Sequence, residues 1–358
     1  MRIGILTYYG VHSHGAVLQA NALKSVLERM GHEVCFVTFE RNYDYIPADQ
    51  VRKYKISIAS IPFYVKYLIK KGPANILYNL NKSKILNAYR SSQFVMGPRY
   101  NEFAGDAVIV GSDEVFSLEI GLNPFMYGNG LQTQRIISYA ACFGPTTLDD
   151  IEKKNVTELI SDGLKKFNYL SARDMNTKEI AETLSGKYVD LVCDPVILYG
   201  YEKEMSEFVP KEKNYILVYS YDRNMNSSYE TKTIKSYAKT MGLKTIAIGY
   251  PHGWCDANVN ATPNELIGYI KNAKLVITDT FHGSVLSIIC NQKFVVKLRG
   301  NQNKLGYLLE EYGLSHRIVS DFHDIKKIAT ENINYDEVNA LMAEKRSHSL
   351  AYLENALK

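Results

Sequence analysis

The sequence predicts an α/β protein of two Rossmann-like domains facing a cleft, followed by a C-terminal helix. Three observations carry this expectation. A strand–helix–strand pattern fills the first forty residues, a second series of alternating strands and helices begins near Asn214, and a long helical stretch runs from Asp336. Strands joined through helices build a parallel sheet, and 358 residues exceed one comfortable core.

The elements follow in order. Arg2–Tyr8 is an apolar run that ends in a glycine-bearing loop. In the next stretch, to Arg29, Val17, Ala20, Leu23, Val26, Leu27 and Met30 recur at helical spacing, with Gly31 where a C-cap belongs. Glu33–Phe39 reads as the second strand. Ala107–Val110 is a buried strand ending at Gly111-Ser112-Asp113-Glu114, and Arg135–Ala141 is another. Ile151–Lys166 reads as one polar-faced helix. Tyr169–Ala172 runs into Arg173-Asp174, and Lys187–Val192 is stopped at Cys193-Asp194-Pro195. In the second series Tyr215–Tyr219, Lys244–Ile248, Leu275–Thr278 and Phe294–Leu298 are strands. Tyr229–Met241, Asn264–Asn272 and His282–Cys290 are helices, the second capped by Thr262 with Pro263 at its first position. The expected division is a first domain over 1–195, a second over 196–335 and a helix over 336–358.

Composition narrows the class. Hydrophobic residues make up 46% and charged residues 22%, a globular balance. The five cysteines are dispersed without Cys-x-x-Cys spacing, which suits reduced thiols in a cytoplasmic protein. No signal peptide and no membrane-spanning stretch is recognisable, so a soluble cytoplasmic protein is expected. The net charge of +4 hides an asymmetry: residues 51–90 hold nine Lys and Arg and no acid, leaving the remainder acidic. One basic segment on an acidic body does not suit a nucleic-acid binder. Tyr54, Phe63, Tyr64, Tyr67, Tyr78 and Tyr89 interleave that segment, and Ile61, Tyr64, Val65, Leu68 and Ile69 share a helical face away from Lys66 and Lys70. Such a face suits a peripheral contact with anionic headgroups at the inner face of the membrane, or equally packing on the first domain. The 27 tyrosines suit surfaces that meet sugars or headgroups.

Ligands of open α/β sheets sit beyond the carboxyl ends of the strands, so the loops there hold the candidate chemistry. Thr278-Asp279-Thr280-Phe281-His282-Gly283-Ser284 follows a strand and opens a helix whose N–H groups favour an anion. His282 is placed there to bind phosphate or exchange a proton; the same residues also read as a helix cap. Arg173 lies at a strand end, either as an anion fork or as a surface partner of Asp174. Arg299 and Lys304 lie in the polar loop after the last strand, where Lys297 is still expected within the strand; a solvated loop reads equally well. Asp113 and Glu114 offer a carboxylate pair able to act as base toward a sugar hydroxyl, or to cap a loop. Gly15 and His14 belong to a glycine-rich loop without dinucleotide or P-loop spacing, and His252 and Trp254 flank another loop, the Trp suited to sugar stacking or to packing. His12 and His14 alternate like metal ligands but lack a partner set, so no metal site is expected.

Tyr9–Ala22 (YGVHSHGAVLQANA), Val108–Phe116 (VIVGSDEVF), Ile137–Gly144 (ISYAACFG), Leu170–Asp174 with Cys193–Leu198 (LSARD, CDPVIL) and Leu275–Ser284 (LVITDTFHGS) together resemble the polysaccharide pyruvyltransferases across nearly the whole chain. His14, Phe116 and Thr280 depart from the family pattern, on acceptor-side loops. The resemblance implies a fold similar to B-type glycosyltransferases. It also implies phosphoenolpyruvate as donor, with no cofactor, and a sugar or lipid-linked oligosaccharide as acceptor. It further implies that His282, Arg173 and a lysine of the last loop, best fitted by Lys304, contact the donor, with Gly283 and Ser284 beside them. A glycosyltransferase of the same architecture, using a nucleotide-sugar, is the alternative. A non-catalytic sugar-binding protein would not need the converging Arg, Lys and His.

Overall fold

The computed structural model describes residues 1–40 and 61–358, the side chains of 63–71 excepted. Its first sheet contains β1 (Arg2–Leu6), β2 (Glu33–Thr38), β3 (Met96–Arg99), β4 (Ala107–Asp113), β5 (Ile136–Ala141), β6 (Leu170–Ala172) and β7 (Val189–Leu191). Their order is β3-β2-β1-β4-β5-β6-β7, every pairing parallel. The second sheet holds β8 (Tyr215–Tyr219), β9 (Lys244–Ile248), β10 (Ala257–Val259), β11 (Leu275–Thr278) and β12 (Phe294–Val296). It is also parallel, in the order β10-β9-β8-β11-β12. Strands covered by helices on both faces become continuous apolar runs, and β8 and β11 are buried at every position.

One apolar core runs through both domains, joining Ile3 and Ile109 of the first sheet to Leu217 and Val276 of the second and to Leu353 of the last helix. Two smaller cores lie under the outer faces of the sheets. The last helix, Tyr335–Ala356, returns to the first domain. There Ser349 accepts from Cys193 N at 2.9 Å, Tyr352 donates to Ser138 O at 2.8 Å, and Arg135 donates to Ala356 O at 3.3 Å.

Two expectations of the element pattern need correction. Ile151–Lys166 is two helices, Leu148–Lys153 and Thr157–Leu164, because Asn155 turns the chain at φ +54°. Asparagine enters that left-handed region readily, and the break lets Ile151 and Ile160 both reach the core. The last strand stops at Val296, so Lys297 lies outside it, its ammonium donating to Ser320 O. Residues 61–93 form one long helix, kinked at Gly72 (φ +72°) before Pro73.

That helix crosses between domains. Tyr78 donates to Val259 O at 2.9 Å and Tyr89 to Asn264 Oδ1 at 3.1 Å, while Arg90 donates to Val11 O at 3.1 Å. Part of the basic segment is therefore committed to the fold. The side chains of Phe63, Tyr64, Lys66, Tyr67, Lys70 and Lys71, on which the headgroup expectation rests, lie outside the described residues, as do Arg52, Lys53, Tyr54 and Lys55. No described helix is long and apolar enough to cross a membrane.

Candidate active site

Because both sheets are parallel, the loops after β1, β4, β6, β8, β11 and β12 open on one edge, where the domains face each other. Five residues named from the sequence converge there: Asp113, Glu114 and Arg173 from the first domain, His282 and Lys304 from the second.

Arg173 follows β6, and Asp174 then caps the next helix. The guanidinium is buried. It donates to Asp194 Oδ2 at 2.8 Å and to Asp113 Oδ1 at 3.3 Å, and lies 4.0 Å from the centre of the Phe281 ring. Its Nε has no partner. Asp113 ends β4 at φ +70°, a conformation unusual for a non-glycine residue that marks a constrained functional position in many sites. Burial opposes the Asp113 carboxylate, yet Arg173, His282 and Lys304 together hold its pKa below the ordinary value.

His282 is the second residue of the helix Phe281–Ile289, capped by Thr280, whose hydroxyl accepts from Gly283 N at 3.0 Å. Its Nε2 is buried without a hydrogen-bond partner, 3.7 Å from Asp194 Oδ2. Burial lowers its pKa, against the pull of Asp194 and Asp113. Lys304 reaches across the cleft to Glu114. Burial disfavours the ammonium, but Glu114 foremost outweighs it and holds the pKa above the usual lysine range. Arg173 and Lys304, with the imidazole of His282 between them, thus face the carboxylates of Asp113, Glu114 and Asp194.

The other sequence candidates are placed differently. Ser284 is buried and bonds Thr280 O at 3.3 Å, and Gly283 packs where a Cβ would meet Thr278 Oγ1 at 2.2 Å. His14 and Gly15 lie not in the expected loop but in the first turn of the helix His14–Arg29, and Gly15 sits beneath the His282 ring, which an added Cβ would approach to 2.4 Å. His14 is buried between the domains, with Nε2 at 2.8 Å from Ala261 O and a pKa lowered to about 4 by burial. His252 is buried under the loop after β8, its Nδ1 3.2 Å from Asn226 Oδ1. Trp254 packs against the outer core of the second domain. Arg299 lines the cleft and pairs with Glu230.

The sequence marks Asp194 only by the strand that stops at Cys193-Asp194-Pro195 and by its place in the Cys193–Leu198 segment. Asp194 sits between Arg173 and His282 while its other oxygen caps Pro195–Tyr199 at 2.9 Å from Val196 N. Among the described residues no group of three or more His, Cys, Asp or Glu is arranged to hold a metal ion.

Comparison with known proteins agrees with this architecture. Trehalose-6-phosphate synthase OtsA superposes with a TM-score of 0.53 at 10% identity, covering 99% of each chain. The glycotransferase of kitacinnamycin gives 0.50 at 12% identity, covering 100% of this chain and 99% of that one. S. aureus MnaA, solved with UDP, gives 0.50 at 11%, covering 96% and 90%. The fold is that of the B-type glycosyltransferases. No curated protein matches the chain. The family profile described as polysaccharide pyruvyl transferase, however, matches residues 14–298, a span that contains Asp113, Arg173, Asp194 and His282. The chain belongs to the polysaccharide pyruvyl transferase family.

Proposed function

We propose that the protein transfers pyruvate from phosphoenolpyruvate to two hydroxyls of a sugar, in a cell-surface polysaccharide or its lipid-linked precursor, forming a ketal and releasing phosphate. The observation that carries this reading is the meeting of Arg173, His282 and Lys304 at a domain cleft with Asp113 and Glu114 beside them. Phosphoenolpyruvate holds a carboxylate and a phosphate a few bonds apart, a charge pattern that an arginine fork, a lysine and a histidine at a helix start suit.

In the proposed reaction His282 takes up a proton as the anionic donor enters and delivers it to C3 of the enol. The cation left at C2 is captured by the first sugar oxygen, whose proton passes to Asp113 or Glu114 and from there returns to His282. The second hydroxyl then displaces phosphate at C2, its proton leaving with the phosphate. Two C–O bonds form, the C–O bond to phosphate breaks, and C3 gains one hydrogen. Glu114 is free for this role once the donor has drawn Lys304 away. The cations come from side chains, so the reading asks for no metal and no cofactor.

Phosphate release from phosphoenolpyruvate in the presence of an acceptor glycan tests it. His282→Ala is expected to abolish release and Arg173→Ala to weaken donor binding tenfold or more, the loss of a charge-assisted contact of about 1.5–3 kcal/mol. Activity is expected to survive exhaustive chelation. Near-normal turnover in both variants overturns the assignment. Release of a nucleoside diphosphate from a nucleotide-sugar, with no phosphate from phosphoenolpyruvate, assigns the chain to the glycosyltransferases instead.

A further inference from the structure

The aromatic surface of the cleft is not Trp254, which is packed into the second domain, but a pair of tyrosines. Tyr221, 37% exposed, and Tyr250 stand with ring centres 5.9 Å apart and planes inclined at 47°. We infer that this pair is the subsite for a pyranose ring of the acceptor, presented by the second domain to the carboxylates of the first.

The pair is held rigidly. Buried Asp279 fixes the loop after β8 by accepting from Ser220 Oγ at 2.9 Å, Tyr221 N at 3.3 Å and Asn224 Nδ2 at 2.6 Å. Its backbone carbonyl accepts from Asn301 Nδ2 at 3.1 Å, tying in the loop after β12. Tyr250 rests on a cation from the long helix, Lys82 Nζ, 3.8 Å from the ring centre and buried. An aromatic face fixed on both sides loses little freedom when a ligand stacks on it.

The surroundings have the chemistry of a sugar site. A hollow of about 270 Å³ has Tyr221 on its wall, with Arg223, Asn224 and Asn303 as polar neighbours. A second hollow, of about 120 Å³, contains Tyr250, His282 and Asp113. Both are bounded by Tyr221, Glu114 and Lys304. A pyranose offers an apolar C–H face to an aromatic ring and hydroxyls to amides, guanidinium and carboxylates. Stacked on Tyr221, it presents its hydroxyls toward Glu114 and Asp113, beside His282. This assignment rests on the reading of the acceptor as a sugar.

The test uses the full chain with methyl galacto-, gluco- and mannopyranosides as probes, in the presence of phosphoenolpyruvate. Saturation-transfer NMR reads the sugars, and ³¹P NMR reads the donor in the same samples. At least one pyranoside is expected to receive saturation on one ring face. Tyr221→Phe is expected to keep it, whereas Tyr221→Leu and Tyr250→Leu each weaken binding about tenfold with donor affinity unchanged, as for loss of a central aromatic anchor. Leucine keeps bulk at each position, and retained donor binding reports a folded chain. Unaltered pyranoside binding in both leucine variants overturns the subsite. So does absence of saturation transfer to all three sugars in the wild type. Pyranoside binding that depends on Tyr221 without any donor binding leaves the subsite standing and refutes the donor assignment.

Discussion

At Gly15 a methyl group would lie 2.4 Å from Cγ and 2.6 Å from Nδ1 of the His282 ring. The ring has little room to retreat, since it packs edge-on to Phe281 and lies 3.7 Å from Asp194. Gly15→Ala is therefore expected to cost about 1–3 kcal/mol of stability through overpacking and to lower donor affinity about tenfold by tilting the imidazole. Adding His282→Gly removes both the ring and the Cβ, which the added methyl would approach to 2.5 Å, so the double variant is expected to be more stable than the sum of the two single losses. Thermal unfolding of the four proteins and a phosphoenolpyruvate titration check this cycle. Additive destabilisation would show that the clash is relieved elsewhere. At this scale the sequence announces residue types and conceals partners. His282 and Arg173 stand out because they follow apolar runs at strand ends. Gly15 is legible only as a flexible loop residue, because its contact lies far along the chain. Asp194 was hidden in the same way: its cap to Val196 is local, but its contacts with Arg173 and His282 are not. Tyr221 and Tyr250 are two among 27 tyrosines, and only the fold separates them from the rest.

The long helix Ile61–Gln93 contributes one buried cation, Lys82, beneath Tyr250. Burial lowers its pKa from 10.5 to about 8, with Asp222 opposing. A lysine whose pKa falls on folding binds its proton more weakly in the native state. Stability from this group is thus lacking below about pH 8 and accrues as pH rises toward 10.5. Relative to Lys82→Met, the wild type is expected to gain about 2–3 kcal/mol across that window. Denaturant unfolding of both proteins at the two ends of the range reads the difference, and parallel pH curves would contradict it. The elements themselves were unevenly legible. β8 lies between Asn214 and Ser220, β11 between Lys274 and Asp279, and β9 runs from Lys244 to Gly249, so the sequence marks their limits. β3 and β10 escape detection because they are short edge strands, the first carrying Pro98, which an edge tolerates. The break at Asn155 escapes because polar residues on both sides continue the helical pattern.

Across the whole molecule, the cleft is spanned by the ion pair of Lys304 with Glu114, and the imidazole of His282 lies near Asp194. Glu114→Gln removes a carboxylate that competes with the donor for Lys304. Phosphoenolpyruvate affinity is expected to rise about tenfold while turnover falls, since the same carboxylate serves as base. Calorimetric titration together with steady-state rates separates the two effects, and unchanged donor affinity would mean that Lys304 does not meet the donor. The last helix adds a topological fact with its own consequence. Tyr335–Ala356 completes the first domain, covering Cys193 and Ser138, yet it is encoded after the entire second sheet. During vectorial synthesis the first domain is therefore expected to remain incomplete, with the apolar groove that Val338, Met342 and Leu353 fill left uncovered, until the second has emerged. The common order, in which the leading domain matures first, is expected to be inverted here. Ribosome-stalled chains ending before Tyr335 are the species in which chaperones would find that groove.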